Sequence, residues 1–390
     1  MQTFTCSCGN RLFFENSRCM RCQSETGFLP DRLLLVPIRS QDGKYWSCEL
    51  VPQQRYRKCS NFNAQHICNW MIAEDDDNQF CVSCRLNKII PDLGQPDNYR
   101  RWQRMERAKR RTLYNLFRIG LRIVDRKADP DNGLEFRFME DVREYDPYTH
   151  ELVRYQQIMT GHDAGTITIN IQEADHSHRE AVRENMNELY RTPVGHIRHE
   201  TGHYFWDKLI SSSSQLARFR ELFGDEREDY QGCLQHYYQN GPIIDWQEDF
   251  ISAYASAHAW EDWAETWAHY LHISDTMETA NDFGLSIEGR ALLAPLNIGN
   301  GNNVTTPPKY LSESGFDEML TDWMHLTILM NALNRSMGMR DAYPFAVSAR
   351  VGDKLRFVHE VIAAEVARLA APGINTSAGG AGPVYRGKPG

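Results

Sequence analysis

The sequence predicts an α+β protein in two parts: a small cysteine-rich N-terminal module and a larger, mainly helical domain carrying a small β-sheet. Three observations support this. Nine of the ten cysteines lie before residue 85. Strand-like segments cluster between residues 134 and 172. From there to residue 371 helical periodicity dominates, and a few strands followed by many helices is an α+β arrangement.

A chain of 390 residues has room for two or three domains and a sizeable core. With 41% hydrophobic and 24% charged residues, it has the composition of an ordinary globular protein. No apolar run approaches the roughly 20 residues of a membrane span. The opening "MQTFTCSCGN" lacks the basic and apolar regions of a signal peptide, so a cytoplasmic protein with no membrane contact is expected. The net charge of −9 gives no overall basic footprint for nucleic acid.

In a reducing compartment, crowded cysteines favour metal over disulfide. "CSCG…CMRC" supplies Cys6, Cys8, Cys19 and Cys22, two close pairs on either side of a short loop, as in a structural zinc site. Gly9 follows the first pair, where the backbone must turn so that amides approach the sulfurs. The second set is Cys59, Cys68, Cys81 and Cys84, closed by a C-x-x-C. Cys59 and Cys68 stand nine apart, so Cys48 or His66 is an alternative fourth ligand. Both sites would be closed, stabilising a small fold that could not bury enough surface alone. Cys233 reads as an ordinary buried thiol.

This zinc-ribbon module is assigned to residues 1–92, and "PDLGQPDN" (91–98) reads as a linker. The arginine-rich stretch 99–127 has two readings: a solvated helix face, or a patch for nucleic acid or an acidic protein partner. Trp102, Met105, Leu113, Leu116 and Phe117 fall on one helical stripe, and Gly120 is the expected stop. "LEFRFME" (134–140), "LVRYQQIM" (152–159) and "GTITINIQ" (165–172) alternate as strands, the last being a candidate edge for an extended peptide. Residues 176–192 read as a helix ended by Pro193, followed by a helix over 195–212 that buries Ile197, Tyr204 and Leu209. Further helices are expected over 213–223, 245–275, 312–338 and 350–371. The second domain thus spans 93–371, and the Gly/Pro-rich 372–390 is an expected disordered tail.

"IRHETGHYFWD" contains His199-Glu200-Thr201-Gly202-His203, an H-E-x-x-H. On a helix, His199 and His203 at i and i+4 project from one face toward a common point, with Glu200 beside them. A catalytic zinc needs three protein ligands and an open position. "YASAHAWEDWAETWAHYLH" (254–272) offers the third, because Glu261 and Glu265 lie one turn apart on an aromatic-rich helix. One carboxylate can complete the shell while the other accepts a hydrogen bond from a ligand imidazole. Asp262 reads as a surface or capping charge. His196, His258, His269 and His272 read as packed or hydrogen-bonded histidines.

Here the chain resembles a known family, the zinc-binding metallopeptidases with an N-terminal zinc-ribbon domain. The resemblance rests on "FFEN", "CNW", "CRLNKIIPDL", "AKRRTLYNLF", "TGHDAGTITINIQEAD", "YRTPVGHIRHETGHYFWD", "FGDER" and "SAYASAHAWEDWAETWAHYLHI", and covers most of residues 1–370. More widely it is similar to gluzincins, in which H-E-x-x-H is joined by a downstream Glu. That resemblance implies a zincin-like peptidase domain: His199, His203 and Glu261 as ligands of a catalytic zinc, Glu200 as base, and Glu265 supporting a ligand histidine. The spacing from Tyr254 to Glu261 is similar to lethal-factor-like toxins and implies Tyr254 as the electrophile, with Tyr343 the competitor. The spacer between His203 and Glu261 is longer than in thermolysin-type enzymes.

The expected function is therefore zinc-dependent hydrolysis of a peptide or protein, with one catalytic and two structural zinc ions. The rival is a zinc-ribbon module that binds protein or nucleic acid through its ribbons and the 99–127 stretch, joined to an inactive or non-peptide amidohydrolase domain. Glu200 argues against inactivity, because zinc binding alone does not require it.

Overall fold

The computed structural model describes residues 2–40, 42–186, 188–287, 290–291, 313–371 and 380–381. Apart from 380–381, the tail expected over 372–390 lies outside them.

The cysteine-rich region is a set of short antiparallel hairpins: Phe4–Thr5 with Arg11–Leu12, Thr26–Leu29 with Leu34–Pro37, and Tyr56–Lys58 with Met71–Ala73. Such small hairpins cannot close a core alone. Phe14, Phe28 and Trp70 interlock between them, with Phe14–Phe28 ring centroids 5.0 Å apart and Phe28–Trp70 4.9 Å apart. The cluster continues onto Tyr114, 5.1 Å from Phe14, so the module leans on the first long helix, α1 (Asn98–Arg118).

The five stripe residues of α1 are buried as expected, and the helix stops two residues before Gly120 at φ +90°. The solvated-face reading is corrected for much of its polar side. Glu106 and Lys109 are fully buried and pair at 2.8 Å, and Arg118 meets buried Glu278 at 2.6 Å. Arg101 binds Asp175 at 2.7 Å, and Arg111 binds Glu15. A helix covered by the cysteine-rich module on one side and by helices on the other must pair its charges internally.

A four-stranded sheet follows, built from β1 (Asn87–Ile89), β2 (Glu135–Met139), β3 (Gly161–Asp163) and β4 (Thr166–Asn170) in the order β3-β4-β2-β1. β4 runs parallel to β2, with Ile167 opposite Phe136 and Ile169 opposite Phe138, all fully buried. The clearest strand of the sequence is therefore internal. The edge expected at Thr166–Asn170 belongs instead to β3, because β4 is hydrogen-bonded on both sides. Leu152–Gln156 pairs with Val142–Tyr145 in a separate, exposed hairpin.

α2 (His176–Asn185) ends well before Pro193. That proline opens α3 (Pro193–Leu209), where its fixed φ suits the first turn, and the Thr192 side chain caps the amide of Gly195. Ile197 and Tyr204 are buried, whereas Leu209 is half-buried. α4 (Leu216–Phe223) and α5 (Tyr230–Asn240) precede two isolated 3-10 turns, Trp246–Glu248 and Tyr254–Ala257, in place of a continuous helix from 245. α6 (Ala259–Asp282) begins where His258 Nδ1 accepts from the Trp260 amide. α7 (Glu313–Ser336) and α8 (Ala349–Ala370) complete the described helices. Cys233, expected buried, is half-buried on α5.

α3 and α6 cross closely at Gly202. A Cβ there would lie 2.9 Å from Ala264 Cα and 3.2 Å from Trp267 Cβ, and Trp263 Nε1 donates to the Gly202 carbonyl at 2.8 Å. Asp262 is not a surface charge. One position along α6 turns its carboxylate away from α3 and toward α8, where it is fully buried and meets Lys354 at 2.6 Å. Lys354 also donates to the Asp249 carbonyl at 2.6 Å.

Two stability outcomes follow from this packing. Gly202→Ala should cost about 1–3 kcal/mol in denaturant unfolding, because the added carbon meets backbone that cannot rotate away. Lys354→Met should cost about 3–5 kcal/mol by stranding the Asp262 carboxylate. The double variant Asp262→Asn/Lys354→Met should recover much of that loss, and equal losses in the two would contradict this account of the pair.

Candidate metal centre and catalytic site

The crossing of α3 and α6 brings four of the sequence-selected residues to one point. His199 Nε2 lies 3.0 Å from Glu261 Oε2, His203 Nε2 lies 3.2 Å from His199 Nε2, and His203 Nε2 lies 3.6 Å from Glu261 Oε1. Two imidazole nitrogens and a carboxylate thus converge on one point, the kind of donor set that zinc takes. Ligands about 2.0–2.1 Å from a tetrahedral zinc stand about 3.3 Å apart, close to the His199–His203 and His199–Glu261 Oε2 separations. Donor atoms of His199, His203 and Glu261 all lie within 4.8 Å of one another.

Glu265 sits one turn beyond Glu261 and accepts from His199 Nδ1 at 2.7 Å, leaving the Nε2 lone pair for a cation. Ser252 donates to the other Glu265 oxygen at 2.6 Å. Burial pushes the Glu265 carboxyl up, but the His199 hydrogen bond and charge outweigh it and bring it to about 2. Burial likewise opposes ionisation of Glu261, yet His203 and His199 hold it well below the usual range.

Glu200 is buried, and its Oε2 has no hydrogen-bond partner. Burial, with Glu261 and Glu265 nearby, raises its carboxyl despite the two histidines. A carboxylate raised in this way is suited to taking a proton and returning it.

Tyr254 lies in the 3-10 turn before α6, its ring 6.0 Å from that of His199. It shares a cleft of about 680 Å³ with His199, Glu200, Tyr238, Met186 and Phe345. Tyr343 is placed otherwise: its hydroxyl is hydrogen-bonded to His269 Nδ1 at 2.7 Å in the core. His258 caps α6, His272 Nδ1 contacts Arg198 at 2.6 Å, and His196 stands 3.6 Å from Glu173. These remain packed or hydrogen-bonded groups, as expected.

Sequence reasoning missed two side chains at this site. The Tyr230 hydroxyl donates to Glu261 Oε1 at 2.6 Å, and the Trp260 ring packs 3.9 Å from that of His203. Neither carries a spacing signal. Tyr230 lies 31 positions before its partner on another helix, and Trp260 is one of several aromatic residues on α6.

The two cysteine sets also assemble. Cys6–Cys22 and Cys8–Cys19 sulfurs are 3.5 and 3.7 Å apart, and Cys68–Cys81 are 3.7 Å apart. Those separations exceed a disulfide bond and match thiolates about 2.3 Å from a shared zinc. Amides of Trp70 and Cys81 point at Cys68 and Cys59 sulfurs, both at 3.4 Å. The second set is Cys59, Cys68, Cys81 and Cys84, without Cys48 or His66.

Two family models match the chain. Residues 3–95 match a zinc-ribbon domain, and residues 98–361 match the family described as "Putative zinc-binding metallo-peptidase". An uncharacterized protein of Mycobacterium bovis and two of Mycobacterium tuberculosis are each 39% identical over 364 residues, covering 93% of this chain and 95% of the relative. No solved structure matches the chain significantly. No helix among the described residues is long and apolar enough to cross a membrane. With a match over most of its length, the chain belongs to this family, described as "Putative zinc-binding metallo-peptidase", and carries a zinc-ribbon domain ahead of the matched region.

Proposed function

We propose that this protein is a gluzincin-like metallopeptidase that hydrolyses peptide bonds of a peptide or protein substrate. The observation that carries the reading is the meeting of His199, His203 and Glu261 beside a buried Glu200 whose Oε2 has no partner. Two structural ions would be held by Cys6, Cys8, Cys19 and Cys22 and by Cys59, Cys68, Cys81 and Cys84. A cytoplasmic setting, which keeps thiols reduced, suits these cysteines.

His199, His203 and Glu261 would hold a zinc ion, which when bound would supply Lewis-acid polarisation of a carbonyl and a more acidic water. Glu200 takes a proton on Oε2 and delivers it to the departing amine. Glu265 keeps the His199 ring oriented through Nδ1. Tyr254 donates its hydroxyl to the carbonyl oxygen as charge develops there, an effect worth about 3–4 kcal/mol. An extended substrate strand would lie along β3, the exposed edge of the sheet. That strand's His162 ring stands 6.3 Å from the His203 ring, beside the site. The rival binding reading is disfavoured because much of the 99–127 charge is engaged with internal carboxylates.

Two measurements test the proposal. Glu200→Gln should lower hydrolysis of a broad peptide library at least about hundredfold while zinc content stays unchanged. If wild type and variant are equally inert, the peptidase reading is lost. Elemental analysis should give three zinc ions per chain, one for each assembled donor group, and two in Glu261→Ala. An unchanged count in that variant would remove Glu261 from the ligand set.

A further inference from the structure

We infer that Tyr230 is a positioning residue for the metal centre: its hydroxyl holds Glu261 in the orientation that presents a single carboxylate oxygen to the ion. This rests on the zinc reading of the site given above. Glu261 is almost fully buried, at 1% exposure, so each of its oxygens needs a defined partner. Tyr230 donates to Oε1 at 2.6 Å, while Oε2 faces His199 Nε2 at 3.0 Å.

The tyrosine is itself fixed in place. Its ring stands edge-on to Trp260 at 5.7 Å and to His258 at 5.3 Å, the two residues that precede Glu261. His258 Nε2 contacts the Glu228 carbonyl at 3.3 Å, tying the segment before Tyr230 to the start of α6. Farther back, Glu226 is bound by Arg220, and Arg227 by Asp225. The segment from Asp225 to Tyr230 is thus a clasp over the first turn of α6.

This division of labour separates two tyrosines. Tyr254 lines the cleft, whereas Tyr230 points its hydroxyl at the Glu261 carboxylate. A carboxylate with one oxygen occupied by a phenol offers the other to the ion. That leaves room in the shell for the open position that a catalytic zinc needs. Partners of this kind typically change metal affinity by 10- to 100-fold when removed.

The test is zinc retention by the full-length protein in buffers of graded free zinc, set by a chelator too weak to strip the tetrathiolate sites. Tyr230→Phe should need about 10- to 100-fold more free zinc than wild type to keep its most weakly held ion. Retention within twofold of wild type would overturn the inference. Should the phenylalanine variant fold poorly, two others serve. Tyr230→Gln can still donate to Glu261 and should retain zinc better than Tyr230→Leu, and equal loss in both would also overturn it. A His199→Ala/His203→Ala control distinguishes the two levels of the argument. If it carries as much zinc as wild type, the zinc reading itself falls, and this inference falls with it.

Discussion

The close crossing of α3 and α6 is the constraint on which the site depends. His199 and His203 come from one helix, Glu261 and Glu265 from the other, and neither helix alone can surround an ion. The approach is set by the missing side chain at Gly202, with Ala264 and Trp267 packed against that gap and the Trp263 indole bound to the Gly202 carbonyl. Glycine costs helix stability through backbone entropy, roughly 0.5–1 kcal/mol relative to alanine. It is placed between His199 and His203, where closeness matters most. The "x-x" of H-E-x-x-H is therefore not neutral spacing in this protein.

Bringing the helices together also buries charge, and the surrounding pattern is one of paired neutralisation. Arg118 with Glu278 joins α1 to α6, and Arg198 with Asp275 joins α3 to α6 at 2.6 Å. Lys354 with Asp262 joins α8 to α6. α6 thus meets a cation from each of three helices at different points along its length. Breaking any one strands a buried charge, so the pairs fix the register of α6 more than they add to stability. That register decides which carboxylates face the histidines and which, like Asp262, face away.

The residue types that converge at the site and their helical placement were legible in the sequence because they obey short-range rules. Histidines at i and i+4, carboxylates one turn apart, and a C-x-x-C all declare geometry within a few residues. The rest of the site was not legible, for one physical reason: it is made by tertiary contact. Tyr230 and Lys354 reach their partners across 31 and 92 positions, and neither has a local spacing signal. The burial of Thr166–Asn170 on both edges was hidden because alternation marks a strand without telling whether it is flanked. The arginine-rich helix misled for a related reason. Charge count predicts solvation only when the opposing carboxylates, here Asp175, Glu15 and Glu278, are far away in space as well as in sequence.

The two histidines are held by different forces, and this bears on Glu200. His199 is oriented by charge through Glu265, while the buried His203 Nδ1 has no hydrogen-bond partner and its ring is instead confined by packing against Trp260. Glu261 and Glu265 are the carboxylates that meet His199, and Glu200 shares their buried surroundings. A third full negative charge on Glu200 would be uncompensated in a buried site, which is the condition that raises a carboxyl's proton affinity. Burial beside Glu261 and Glu265 thus raises the Glu200 carboxyl, the direction that favours accepting a proton.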